Sequence, residues 1–382
     1  MTTGKFEYIN PRTIYYGEGS LRSGLESELR AVSAERVHIV TTASLLESAT
    51  LAYLRSVSHM LTDASLSTVS SHTPVEEVYQ AACDIEASKA DVIVALGGGS
   101  VSDASKLAAH GTGSASPQSM SVEDFEKLVV TGGGNSLPTV GVPTTLSVAE
   151  LCGAAGFSEL GTKRKVGTYF DYLIPKAVFF DPVVTDDTPD KLWLSTGIRA
   201  VDHAVESLVS DDINPISEQL ALSSLVRLTR NLRLFSTTTT SRSVRHECQI
   251  GAWESYSLPR QSGKGLSHAL GKAIGSIQAI PHGVTSCLLL PHVIRFYSLN
   301  PQSARRLAPA AAAIGAPTSM NDAQSVQFLA AEIGSLISQA GLPTSLDAYG
   351  VPSAVLDASA ESVSDRTGFD LISVRAIYEA AR

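Results

Sequence analysis

The segment GIRAVDHAVES, residues 197–207, gathers an arginine, an aspartate, a histidine and a glutamate within three helical turns. Arg199 and His203 are four apart, with Asp202 between them and Glu206 one turn further on. On a helix, Arg199 and His203 share a face. A histidine paired at this spacing with a carboxylate is a common way to hold a metal. Here the partner is a guanidinium, which cannot ligate a cation. It can grip a carboxylate with its planar fork, or stabilise an oxygen that becomes negative during reaction. The plain alternative is that Arg199 pairs with Asp202 or Glu206 and only braces the helix.

A second chemically informative segment is ALGGGSVSDASK, residues 95–106. Three glycines follow an apolar strand and precede a helix. Glycine lets backbone approach a ligand closely, and the helix start offers N–H groups and a positive dipole end to a phosphate. Gly97, Gly98 and Gly99 form the turn, Ser100 adds a hydroxyl, and Asp103 stands in the first helical turn. The alternative is a tight strand-to-helix turn with a simple N-cap. The triplet Gly132–Gly134 has no such setting and reads as loop.

Both segments need elements to position them. Strand signals at 36–42, 66–71, 91–100 (running into glycines) and 139–145 alternate with helical patterns at 45–57, 75–88 and from Ser100 onward. This alternation implies a mainly parallel sheet covered by helices. Residues 161–182 read as a hairpin or strand pair. After DDTPDK (186–191) helical patterns dominate from Leu192 to the end, broken by turns such as QSGKG, IPHG and GLPTS. The chain therefore divides into an α/β domain, 1–185, and an all-helical domain, 186–382. FSTTTTSRS (235–243) reads as a surface turn.

With 382 residues, 43% of them hydrophobic and 18% charged, the chain is long enough for two ordinary globular cores. A net charge of −9 argues against a general nucleic-acid or anionic-membrane surface, without excluding a small basic pocket. Four cysteines (Cys83, Cys152, Cys248 and Cys287) lack CxxC spacing and fit reduced thiols. The N-terminal residues carry no apolar signal core, and no segment approaches the ~18 apolar residues of a membrane span. These features point to a cytoplasmic protein.

The order of blocks resembles the iron-containing (group III) alcohol dehydrogenases. The blocks are YINPRTIYYGEGSL, ALGGGSVSDASKLAA, VPTTLSVAE, GIRAVDHAVES and GLSHALGKAIGSIQAIPHGVTSCLLLPHV. The similarity is greatest to the maleylacetate reductases, in the opening segment and in PTTLSVAE, one residue shorter than the PTT-x-GT-x-SE pattern of metal-dependent members. The resemblance implies a dehydroquinate synthase-like fold, with a dinucleotide-binding α/β domain, an all-α domain, an active site between them and a homodimer. It also implies that Gly97, Gly98, Gly99, Ser100 and Asp103 contact the cofactor, with Thr144 and Thr145 lining its cleft. One of Lys163 or Lys165 would reach its phosphates or ribose, a choice that spacing leaves open.

Metal-dependent members bind one divalent ion through an aspartate and three histidines. By position these are Arg199, His203, His268 and His282, so the carboxylate is absent. A further histidine, usually near the substrate, is Lys272. A guanidinium where the ion's ligand belongs repels a cation, so a metal-free site is the favoured reading. If an ion binds, His203, His268 and His282 are the candidates for holding it. In the metal-free site Arg199 takes the role of fixed cation toward an anionic oxo-acid, and Lys272 supplies a second contact or a proton. Asp202 is read as lying off the Arg199 face.

Cofactor choice follows from the first dinucleotide-domain strand. It ends in Thr41, Thr42 and Ser44 and not in the carboxylate that excludes a 2′-phosphate. NADPH is therefore expected to serve alongside NADH, with Thr42 near the 2′ position. Three alternatives remain: a metal-dependent (Fe or Zn) alcohol dehydrogenase, a non-redox lyase or cyclase on the same fold, and a non-catalytic binding protein.

Overall fold

The computed structural model describes residues 6, 8, 10–57, 66–162, 164–237, 241–256, 265–278 and 280–382. The chain separates into two compact units, Tyr8–Thr188 and a helical unit running from Pro189 to Arg382.

In the first unit six parallel strands are ordered β1-β8-β5-β4-β2-β3. They are β1 (Thr13–Tyr16), β2 (Val37–Thr41), β3 (Leu66–Thr68), β4 (Val92–Gly97), β5 (Thr139–Pro143) and β8 (Ala177–Phe180). The four inner strands, β2, β4, β5 and β8, are buried along their whole length. That is why VIVALG and AVFF read as continuous apolar runs, as strands covered on both faces do.

Helices α1 (Ser20–Ala31) and α2 (Ala49–Val57) cover one face. They bury Leu21, Leu25, Leu51 and Leu54 there. Helices α3 (Val75–Ser88), α4 (Gly99–Ser114) and α5 (Val122–Thr131) cover the other through Val78, Ile85, Leu107 and Phe125. β2 leads through α2 to β3 at one edge, whereas β4 leads through α4 and α5 toward β5 on the other side. The carboxyl ends of β2 and β4 thus flank a topological switch point, where open α/β sheets bind ligands.

The sequence reading of 161–182 as a hairpin or strand pair needs correction. The antiparallel pair is β6 (Ala154–Ser158) with β7 (Lys165–Tyr169), while 177–180 joins the main sheet. AAGFS carries no β-branched residue, so its strand character comes from pairing with β7 and not from propensity.

The second unit contains α6 (Asp190–Val209), α7 (Pro215–Thr237), α8 (Arg242–Ser255), α9 (Leu266–Gln278) and α10 (His282–Tyr297). These are followed by α11 (Pro301–Ala313), α12 (Asp322–Gln339), α13 (Ser353–Thr367) and α14 (Leu371–Ala380). No strand occurs in it among the described residues. The wholly buried Trp193 anchors α6. Its ring lies under the Arg245 guanidinium of α8 at 4.9 Å and against Phe235 of α7 at 6.1 Å. Truncating a core aromatic of this kind typically costs about 3–5 kcal/mol. The anchor fixes the register of α6 less than two turns before Arg199. No helix of the described residues is long and apolar enough to cross a membrane.

Candidate functional site

The glycine turn lies at the carboxyl end of β4. Gly97 has φ +157, and a Cβ there would meet Val101 Cγ2 at 2.6 Å, so the turn closes only on glycine. Gly98 is the N-cap of α4 and carries no side-chain cap. A Cβ on Gly98 would stand 3.0 Å from Thr145 Cγ2, and one on Gly99 would stand 3.2 Å from Ser147 Oγ. Thr145 Oγ1 and Ser147 Oγ are buried and have no hydrogen-bond partner among the described residues. Thr144 donates its N–H to Gly97 O at 3.0 Å, tying the loop after β5 to the turn.

Between Ser147 and Glu150 the shortened PTTLSVAE loop holds Val148 at φ +57. A β-branched residue in the left-handed region is a genuine outlier, and such strain costs of order 1–3 kcal/mol where surrounding structure imposes it. Two unsatisfied hydroxyls and a strained backbone thus border a capless helix start. Orphaned polar atoms beside an open helix N-terminus fit a dinucleotide phosphate and its ribose.

Other residues expected at this end have work of their own. Asp103 points inward: Oδ2 accepts from the Gly156 N–H at 3.0 Å and Oδ1 pairs with Lys106 at 3.2 Å. Lys106 is itself only 1% exposed and donates to the carbonyls of Ala149 (2.9 Å) and Ala154. Asp103 is therefore a brace between α4 and β6. Ser100 Oγ accepts from the His72 N–H at 3.2 Å, and Lys165 Nζ donates to His72 O at 2.9 Å. His72 and Thr73 both have positive φ in the loop after β3, a feature the sequence reading missed. Lys163 lies outside the described residues. Of the hydroxyls after β2, Thr41 is buried and donates to Leu96 O at 2.8 Å, so only Thr42 and Ser44 face outward.

The second constellation is built in the helical unit. Arg199 is 14% exposed, and its Nη1 donates to Ser286 Oγ of α10 at 3.0 Å and to Asp202 Oδ2 at 3.3 Å. Asp202 is 0% exposed. The same Oδ2 accepts from Ser286 Oγ at 2.6 Å and from Ser267 Oγ of α9 at 2.9 Å. Contrary to the reading that placed it off the Arg199 face, Asp202 is the counter-charge that seats the guanidinium. Among the described residues only Nη1 of Arg199 is engaged, which leaves its Nη2–Nε edge for a ligand.

Glu206 Oε1 accepts the His268 backbone N–H at 3.0 Å, and its Oε2 contacts His268 Nδ1. The rings of His203 and His268 stack with centroids 4.8 Å apart. Burial raises the Glu206 carboxyl to about 7, although the His268 N–H and the Arg199 charge oppose the rise. Burial, then the Glu206 charge, also raises Asp202. Burial and the Arg199 charge push His268 down to about 3 and His203 well below the usual range. Both imidazoles are therefore neutral at pH 7. Lys272 is exposed on α9 and its charge reaches His268. His282 is the exposed first residue of α10.

Of the positions that hold metal in the resembled family, Arg199 occupies the one where a carboxylate is expected, and His203, His268 and His282 are the others. Among the described residues the donor atoms that come within 4.8 Å of one another belong instead to Asp202, Glu206 and His268, all buried. Glu206, His203 and the C-terminal half of α6 also line a cavity of about 560 Å³, which continues to Phe296, Tyr297 and Phe369.

A doubly wound sheet with a glycine turn at its switch point, and a helical unit carrying a largely buried Arg–Asp–His–Glu constellation, fit a dinucleotide-dependent enzyme. Residues 11–182 match the iron-containing alcohol dehydrogenase profile and residues 193–371 match the C-terminal profile of the same family. The chain belongs to the iron-containing alcohol dehydrogenase family and is an NAD(P)-dependent oxidoreductase. Dehydrogenase ALT3 of Alternaria alternata is 31% identical over 330 residues, covering 77% of this chain and 83% of that protein. Long-chain-alcohol dehydrogenase 1 of Geobacillus thermodenitrificans is 26% identical over 391 residues, covering 98% and 96%. The crystal structure of maleylacetate reductase from a Rhizobium strain is 25% identical with a TM-score of 0.80, covering 99% of this chain and 98% of that one.

Proposed function

We propose that the chain reduces an oxo-acid of the maleylacetate type with NADH or NADPH, without a metal ion. The observation that carries this reading is Arg199, held by Asp202 and Ser286 with one guanidinium edge free, at the position where metal-dependent relatives carry a carboxylate ligand. A bound NAD(P)H supplies the hydride. Hydride addition to a carbonyl, or to a conjugated double bond, puts negative charge on the carbonyl oxygen. Arg199 faces that oxygen or the neighbouring carboxylate and stabilises the charge. Asp202, Ser267 and Ser286 hold Arg199 in place, so little reorganisation accompanies the reaction. Glu206 fixes the orientation of His268, and Lys272 offers the second cationic contact or the proton. The glycine turn with Thr144 and Thr145 seats the pyrophosphate, and Thr42 leaves room for a 2′-phosphate.

A metal-dependent alcohol dehydrogenase is the second reading. It is favoured by the buried Asp202–Glu206–His268 donor set and by the similarity to a long-chain-alcohol dehydrogenase. Incubation of chelator-treated protein with NADPH and maleylacetate separates the readings. Stoichiometric NADPH consumption supports the metal-free reductase. Activity that appears only on adding zinc or ferrous ion supports the second reading. Turnover without net NADPH consumption points to a lyase and defeats both.

A further inference from the structure

The cavity in the helical unit begins at residues of the proposed site and leaves it along α6. His203 and Glu206 line it, and so do Ser207 and Ser210. Together with Arg199 these residues follow spacings of three and four, so they form one face of the helix. The part of that face that lines the cavity, His203 to Ser210, runs about 10 Å at the helical rise of about 1.5 Å per residue. The cavity holds about 560 Å³, within the range of small-molecule sites, roughly 300–1,000 Å³. A six-carbon oxo-acid seated at Arg199 leaves most of it empty.

Its lining is mixed. Leu266, Tyr297, and Phe296 set edge-on to Phe369 at 6.0 Å are apolar and aromatic. Ser207, Ser210, Asn300 and Ser303 are polar. At the far end Arg306 spends Nη1 on the carbonyls of Val209 (2.9 Å) and Ser210 (3.0 Å) and on Asp211 (3.1 Å). With Asp212 also at the rim, that end does not invite a second anionic group.

We propose that this cavity receives the distal arm of the substrate, a linear aliphatic chain of about eight carbons at an advance of about 1.25 Å per carbon along the zigzag, ending in a neutral polar group and not a carboxylate. The inference rests on the oxo-acid reductase reading and narrows its substrate class from short diacids to long-chain oxo-acids.

The test is a series of straight-chain 2-oxo acids of four to twelve carbons, assayed with NADPH. As methylenes enter the cavity, kcat/KM rises about fourfold for each, the fold-change expected for a buried CH₂, and levels off near the cavity's length. Two substitutions in the cavity lining, Ser303→Phe and Gln302→Trp, flatten the gradient and leave the four-carbon activity within about twofold. Gln302 is exposed, so its variant stays folded should Ser303→Phe fail. Turnover of the four-carbon acid with no gain on lengthening overturns the cavity inference and leaves the reductase reading standing. A gradient unchanged in both folded variants overturns it as well. If no member is reduced, the oxo-acid reading is judged on maleylacetate, whose oxo group is not at C2, and fails if that is not reduced either. The cavity is then judged by calorimetric binding of the ten-carbon acid to the NADPH complex: tighter binding than the four-carbon acid, abolished by Gln302→Trp, sustains it, and equal binding of the two overturns it.

Discussion

Removal of the Asp202 carboxylate tests how the site is held together. Asp202 is fully buried, and one of its oxygens accepts from Arg199, Ser267 and Ser286 at 3.3, 2.9 and 2.6 Å. Asp202→Ala leaves a mostly buried guanidinium without its counter-charge and two buried hydroxyls without their acceptor. Breaking a buried ion pair on one side costs about 3–5 kcal/mol, and each orphaned buried donor costs about 1–3. These terms overlap, and losing a carboxylate whose ionisation burial already opposes offsets part of them. The net expectation is about 3–5 kcal/mol. Asp202→Asn keeps an acceptor oxygen for the serines and loses only the charge, for about 1–2 kcal/mol. Urea unfolding at pH 7 measures both, and kcat/KM with NADPH measures whether Arg199 remains seated. A loss below about 1 kcal/mol in Asp202→Ala, with unchanged kcat/KM, would refute the seating argument.

Three further outcomes are expected. Gly98→Val has an acceptable backbone, but its Cβ stands 3.0 Å from Thr145 Cγ2; fluorescence titration should show NAD(P)H affinity falling at least about tenfold with the fold intact, and unchanged affinity would remove the dinucleotide from this turn. NADPH should serve within about tenfold of NADH, and Thr42→Asp should shift preference to NADH through repulsion of the 2′-phosphate; a wild type that rejects NADPH sinks this reading. Burial raises Glu150 from 4.5 to about 7, against the pull of Lys106. Its contribution to stability is therefore fully present below about pH 4.5 and is lost as pH rises through 7. The loss is at most about 3 kcal/mol for a shift of this size, and melting of Glu150→Gln between pH 5 and 8 should show a flatter profile than the wild type.

Much of the α/β unit was legible because its signals are local. The apolar run before GGGS is β4, and the amphipathic pattern 75–88 is α3 to the residue. Helix α5 went unread although Ser121 caps it and Glu123 and Asp124 fill its first turn, a start signal visible in the sequence. The hairpin was misplaced because β6 is held by pairing across the chain. In the helical unit the sequence brought forward Arg199, His203 and His268, and the helix wheel left Asp202 aside. Its i,i+3 pairing with Arg199 stood only as the alternative to a substrate-facing arginine. Ser267 and Ser286 reach Asp202 from two other helices, and no spacing within one sequence announces that. The inward turn of Asp103 toward Gly156 and Lys106 is equally tertiary.

The central claim is that Arg199 acts as the fixed cation facing the substrate. The most direct measurement is kcat/KM of Arg199→Ala against the wild type on the same oxo-acid, in chelated buffer, with NADPH affinity determined in parallel. The account predicts a fall of about 10²–10³-fold, equivalent to about 3–4 kcal/mol of transition-state stabilisation, with cofactor affinity unchanged. Full turnover by a folded Arg199→Ala variant would contradict it and leave Arg199 as a brace for Asp202.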